Sequence, residues 1–237
     1  MLSSLVVLSG LAALCITLIA SMPVRFAVQQ AGLSVPADRF SGTIRNGAAR
    51  LDDAHRLVWQ TADWESLRAI ALVVNWRITG PGTDVGGRLA LPPAAARTDV
   101  GPVSGRIAWP LVAALLPGLP IRCEGAADLA ALRLALTPGA RRASGRIAAA
   151  PARCMRTDGG LPAVATPALS AVLASDADGL TAVLSAADAP QTPLASARLT
   201  DADRIAVTIH AAGAALGPGM PASADSQIEL PLAALLP

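Results

Sequence analysis

The stretch Phe40-Ser41-Gly42-Thr43-Ile44-Arg45-Asn46-Gly47-Ala48-Ala49-Arg50-Leu51 follows directly on an apolar N-terminal region. Its Ser-Gly-Xaa-Ile core returns at Ser104-Gly105-Arg106-Ile107 and at Ser144-Gly145-Arg146-Ile147. Glycine tolerates the backbone angles of a tight reversal, and alternating apolar residues after it mark an extended chain. Each copy therefore reads as a turn that opens a β-strand. The spacings are unequal, which excludes a fixed-period solenoid. The pattern predicts a sheet built by adding similar strands.

Outward from that stretch the two-residue period persists. In Ala71-Leu72-Val73-Val74-Asn75-Trp76-Arg77-Ile78, the residues Leu72, Val74, Trp76 and Ile78 fall on one face, and Asn75 and Arg77 on the other. Leu132, Leu134 and Leu136 alternate with Arg133 and Ala135. Ile205, Val207 and Ile209 alternate with Ala206, Thr208 and His210. Each predicts an antiparallel strand with one wet side, and Ile205 to Ile209 is expected at a sheet edge. Gly80-Pro81-Gly82, Gly86-Gly87, Pro92-Pro93, Thr137-Pro138-Gly139 and Gly217-Pro218-Gly219 punctuate the chain. Asp178-Gly179 between Val172-Leu173 and Leu180 to Leu184 is a hairpin signal. A short helix is expected at Pro110 to Leu116, opened by its proline and closed by Pro117-Gly118.

The 237 residues suffice for one larger domain, and no linker forces a second. Apolar residues make up 53% of the chain, but many are alanine, and aromatics reach only 3%. Small side chains bury little area each, so such a core gains less per residue. All 19 basic residues are arginine. A net charge of +2 with no aromatic–basic platform argues against nucleic acid as a partner.

Leu2 to Met22 carries no charge over 21 residues, enough for a helix of roughly 30 Å across a bilayer. A cleaved signal normally has a basic leader and small residues before the cut. Neither is present, so an uncleaved span is expected. The predicted order is a transmembrane anchor at 1–22, a juxtamembrane connector at 23–39, a β-rich domain at 40–217 and a partly ordered tail at 218–237. The expected class is mainly β, an antiparallel, curved sheet with one or two short helices behind the transmembrane helix. Charge flanking the span leaves its orientation open. Cys15 falls inside the span, while Cys123 and Cys154 read equally as a disulfide pair or as two buried small side chains.

Chemistry-bearing patterns are sparse. His55 and His210, the two histidines, sit among strand residues and read as wet-face side chains. No Cys, His, Asp or Glu cluster has ligand spacing, so no metal or cofactor is expected. Ser104 lies outside a G-x-S-x-G elbow, and Gly80 to Gly86 misses the dinucleotide fingerprint. Asp52-Asp53 beside Arg56, and Asp201 and Asp203 beside Arg204, read as solvated turn acids. No catalytic residue is assigned, and neither an enzyme nor a small-molecule substrate is expected.

Three segments together resemble the type II secretion system protein N family. They are Gly42-Thr43-Ile44-Arg45-Asn46-Gly47-Ala48-Ala49, then Leu119-Pro120-Ile121-Arg122-Cys123-Glu124-Gly125-Ala126-Ala127-Asp128-Leu129, and the closing run from Asp178-Gly179-Leu180 through Asp188, Pro193-Leu194, Leu199 and Asp203-Arg204-Ile205. The resemblance spans nearly the full length, although expected tyrosines and tryptophans are missing. It implies a single-pass bacterial inner-membrane protein with its bulk in the periplasm, where a Cys123–Cys154 bond is chemically possible. It implies a non-catalytic accessory subunit whose partners are other single-span subunits and membrane lipid. A second plan with similar ingredients is the AsmA-like or lipopolysaccharide-bridge proteins, which hold acyl chains in an open β-groove. An empty apolar trough would favour that plan, and a filled core would favour the secretion subunit.

Overall fold

A computed structural model describes residues 23, 39–92, 98–115, 121–137, 140–156, 163–176, 179–199, 204–214 and 225–231. The predicted span, most of the connector, and the acids Asp201 and Asp203 lie outside the described residues. The described chain is mainly β, with two sheets and three short helices. Thirteen strands form one antiparallel sheet: β1 (Arg39–Gly42), β2 (Asn46–Arg50), β3 (Arg56–Thr61), β4 (Leu72–Gly80), β5 (Thr83–Leu91), β6 (Thr98–Ala108), β8 (Ala126–Thr137), β9 (Ala140–Ala149), β12 (Leu169–Asp176), β13 (Gly179–Ala186), β14 (Ala189–Leu199), β15 (Arg204–Ile209) and β16 (Ser226–Pro231), in that spatial order. Every neighbour in the sheet is the next such strand along the chain. The sheet is a meander.

Three further strands, β7 (Ile121–Cys123), β10 (Ala152–Arg156) and β11 (Val164–Thr166), form a small sheet in the order β11-β10-β7. They arise where the chain leaves the meander between β6 and β8 and again between β9 and β12. Cys154 stands directly opposite Cys123, and the two are joined by a disulfide. The bond thus clamps two neighbouring strands whose residues are far apart in sequence.

Because the strands alternate in direction, the connections fall at two ends. One end carries the β1–β2 turn and helix α1 (Asp63–Ala69), which joins β3 to β4. The other carries the β4–β5 turn, helix α2 (Trp109–Leu115), the small sheet and helix α3 (Ala211–Ala214). Helix α2 matches the expected helix at Pro110, with its start one residue earlier. Its Leu111 is completely buried, and the Trp109 N–H bonds the Gly125 carbonyl at 3.1 Å.

Strand β4 matches its predicted pattern from Val74 onward, with Val74, Trp76 and Ile78 half-buried and Asn75 and Arg77 exposed. At its start the pattern reverses, because Val73 is buried beside helix α1 while Leu72, expected on the apolar face, is exposed. The hairpin expected at Asp178-Gly179 is present, with Asp176 opposite Gly179. The repeated Ser-Gly-Xaa-Ile element requires a correction. Gly42 ends β1, but Gly105 and Gly145 lie inside β6 and β9 and do not open them. Both hold left-handed angles, φ +126° and +135°. A Cβ on Gly105 would stand 2.2 Å from the Asp84 carbonyl oxygen, and one on Gly145 would press on Leu132. The pairing shifts register along β5/β6, β6/β8 and β8/β9 in this same region. These glycines belong to a line of bulges, which bend and twist the strands they interrupt.

Hydroxyls repair the ladder where bulges open it. Ser104 Oγ accepts the N–H of Ala131, itself at φ +51°. Ser175 Oγ accepts from the Ala143 N–H at 2.7 Å and donates to its carbonyl at 3.0 Å. Thr83 Oγ1 accepts the buried Ala108 N–H at 3.0 Å. Each satisfies a backbone group that would otherwise be orphaned. A second correction concerns the edge: Ile205 to Ile209 pairs on both sides, with β14 and with β16. Strand β16 comes from the stretch read as a tail.

Candidate functional site

The register brings one residue from every strand of the meander into a single row. Phe40, Ala49, Leu57, Ile78, Val85, Gly105, Leu129, Ile147, Ala171, Leu184, Ala195, Ile209 and Ser226 stand directly opposite one another in succession. All but Gly105 and the terminal Ser226 are apolar. Of this row only Ala49 and Val85 are fully buried; the others are half-buried. Two residues along, Gly47, Trp59, Trp76 and Gly87 also stand in line. The glycines make room for the indoles: a Cβ on Gly87 would lie 2.8 Å from Trp76, and one on Gly47 would overlap Trp59. The Trp59 indole N–H donates to the Thr43 carbonyl at 3.1 Å. The result is a continuous apolar face, only partly withdrawn from solvent.

The opposite face is charged. Arg77 grips Asp84 through two bonds of 2.6 Å, and Arg106 binds Asp128 at 2.9 and 3.1 Å. The guanidinium hydrogen bonds hold both carboxyls below the ordinary carboxylate range. These pairs are more than half exposed, so they set the wet side of the sheet and add little to its stability.

His55 departs from the expected wet-face position. It is buried, packs over Gly80, and its Nδ1 lies 2.8 Å from Asp52. Asp52 also accepts the N–H groups of Ala54 and His55, each at 2.7 Å. Burial would raise the Asp52 carboxyl, but the His55 bond and the two backbone bonds outweigh it and lower the pKa. The acid read as a solvated turn residue is therefore the turn's organiser. A cavity of about 390 Å³ adjoins it, lined by Ser41, Arg50, Asp53, His55 and Arg56 among others. On its wall Ser41 Oγ donates to the Ala48 carbonyl at 3.3 Å, and His55 Nδ1 is engaged by Asp52.

His210 has a more suggestive setting. Its Nε2 lies 3.2 Å from Ser196 Oγ and its Nδ1 3.0 Å from Asp225. The hydrogen bond from His210, with the Ala211 N–H, keeps the Asp225 carboxyl below its usual range. The order of contacts, hydroxyl to imidazole to carboxylate, is that of a serine–histidine–aspartate relay. Ser196 lies mid-strand, paired with Val183 of β13 and Thr208 of β15, where backbone N–H groups serve the ladder. What the trio does is tie the start of α3 and of β16 to β14. No signal in the sequence joined these three residues, because their pairing depends on a register between strands. Among the described residues no group of three or more His, Cys, Asp and Glu is arranged to hold a metal.

Helix α1 is a feature the sequence reading missed altogether. Three of its polar residues are engaged by the sheet, while Arg68 is exposed: Asp63 pairs with Arg45, Glu65 lies 2.5 Å from Arg88, and Ser66 Oγ accepts the Val73 N–H at 2.9 Å. Its apolar residues face outward. The usual signal of a helix, an apolar stripe turned to the core, is reversed, and Ala62 before it supplies no side-chain cap.

No family model matches the chain, and neither do curated proteins or solved structures. Among the described residues no helix is long and apolar enough to cross a membrane.

Proposed function

We propose that this chain is a non-catalytic accessory subunit of the type II secretion machinery, anchored in the bacterial inner membrane with its sheet in the periplasm. The observation that carries the reading is the open meander. It ends in β16, which pairs with β15 alone among the described residues. An edge strand of this kind offers backbone groups for a partner strand. The family resemblance of residues 42–49, 119–129 and 178–205 supplies the machine, and single-span subunits of that machine are the partners. The clamped small sheet suits an oxidising compartment.

The test is deletion of the gene, complemented by chains carrying proline at Gln227 or at Ile228. Alternate residues of an edge strand aim their N–H outward, so one of the two prolines removes an outward donor without breaking the β15 pairing. Loss of exported proteins on deletion, and cross-links from β16 to a secretion subunit that the outward proline abolishes, are the expected results. Normal export with no such cross-link would overturn the reading.

A second reading is favoured by the apolar row. A half-buried apolar face crossing thirteen strands is suited to lie against acyl chains, as in the lipid-groove plan. Lipid co-purifying with the chain, together with normal secretion in the deletion strain, would support this reading against the first.

A further inference from the structure

Trp64, Leu67 and Ile70 are 76%, 73% and 78% exposed. They are the most exposed large apolar side chains among the described residues, and all three come from α1 and its C-cap. Ion pairs from Arg45 and Arg88 and the Ser66 hydroxyl engage the other side of the helix. Leu72 and Leu91, opposed across β4 and β5 at the same end, are also exposed. A cluster of this kind marks a surface with an occupant.

The chain itself indicates which occupant. Pro23, the first residue after the uncharged run Leu2 to Met22, bridges to Thr43 in the β1–β2 turn. Two residues on, Arg45 pairs with Asp63 at the start of α1, and its carbonyl accepts the Thr61 N–H. The point at which the run ends is thus at the same end of the sheet as α1, close to the start of that helix. Tryptophan and leucine at such a place match the interfacial layer of a bilayer, where an amphipathic ring and an apolar face are both accommodated. Arg68, exposed on the same helix, supplies a cation for headgroup phosphate. We infer that Trp64, Leu67 and Ile70 seat this end of the sheet in the interfacial layer of a lipid bilayer. The inference rests on the reading of Leu2 to Met22 as a membrane span.

The experiment uses the full-length chain reconstituted into phosphatidylcholine–phosphatidylglycerol vesicles, with lipids brominated near the headgroup as fluorescence quenchers. Flotation with the vesicles and resistance to alkaline extraction test the span. Tryptophan quenching, compared between the parent chain and Trp64→Phe, tests the seat. The expected result is a floating chain whose quenching by shallow bromines is largely lost in Trp64→Phe. A floating chain with equal quenching in both forms would leave the span standing and overturn the seat; cross-linking of Leu67 to a protein partner would then name the alternative occupant. A chain that does not float, or is extracted, would overturn the span and the seat with it. Since Trp64 is mostly exposed, unchanged circular dichroism of Trp64→Phe confirms that the comparison is between folded chains.

Discussion

Where β3 passes into β4, a helix pairs its two acids with arginines of the sheet and, with its C-cap, leaves three large apolar side chains outside. Where β6 leads out towards β8, helix α2 buries Leu111 completely, and a disulfide pins the strands that follow. The two helices are equally short, seven residues each. They differ in what holds them: α1 buries no residue of its own and is tied by ion pairs and a hydroxyl beside the buried Val73, whereas α2 buries Leu111 and lies near a covalent bond. The end with α1 carries the three most exposed large apolar side chains among the described residues, and the end with α2 carries the disulfide.

Three measurements would break or sharpen that contrast. The largest effect is expected from Leu111→Ala, which should cost about 2–5 kcal/mol in denaturant unfolding because it opens a cavity in filled space. Leu67→Ala should stay within about 0.5 kcal/mol, as for an exposed position. Equal losses would erase the distinction between the ends. Next comes Cys123→Ser combined with Cys154→Ser, expected to remove about 2–4 kcal/mol; alkylation of the parent chain should leave both thiols unmodified until reduction. Free labelling of the folded chain would remove the clamp from the account. The smallest effect is acid-dependent. Asp225 has its carboxyl lowered by His210 and the Ala211 N–H. Its contribution is complete above the unfolded carboxylate value of about 3.9 and is lost as pH falls through the lower folded value. The difference in Tm between the parent and Asp225→Asn should therefore be present at about pH 5 and vanish as the pH falls well below the unfolded carboxylate value. A difference that grew below that value would contradict the geometry.

The sequence carried much of the sheet because its signals are local. Alternation around Trp76 defined β4 and its faces, and Pro110 with Pro117-Gly118 bracketed α2. What it concealed depends on distant neighbours. Gly105 and Gly145 look like turn residues in isolation, and only the adjacent backbone of Asp84 or Leu132 shows why a side chain is excluded from a strand interior. His55 looked solvated because the pattern of the strand after it says nothing of the Asp52 turn that folds it inward. Ile205 to Ile209 looked like an edge because β16 is polar on one side, with Gln227 and Glu229, and carries little apolar signal of its own. The Ser196, His210 and Asp225 cluster, like the row of apolar residues across thirteen strands, exists only through register. Helix α1 was hidden by its reversal, since a search for stripes facing the core passes over one that faces out.

The meander has a consequence for how the chain can be made. In the thirteen-stranded sheet each strand's partner is the preceding sheet strand, so a chain emerging from its N-terminus finds a template for every segment as it appears. Contacts between nearby segments close cheaply and quickly. The two departures to the small sheet are the only places among the described residues where that order is broken: β8 returns to β6 after α2 and β7, and β10 must find β7 across the whole β8–β9 hairpin. Assembly by successive addition should pause there, with β1 to β6, β8 and β9 already paired and the strands from β10 onward waiting on one long-range closure.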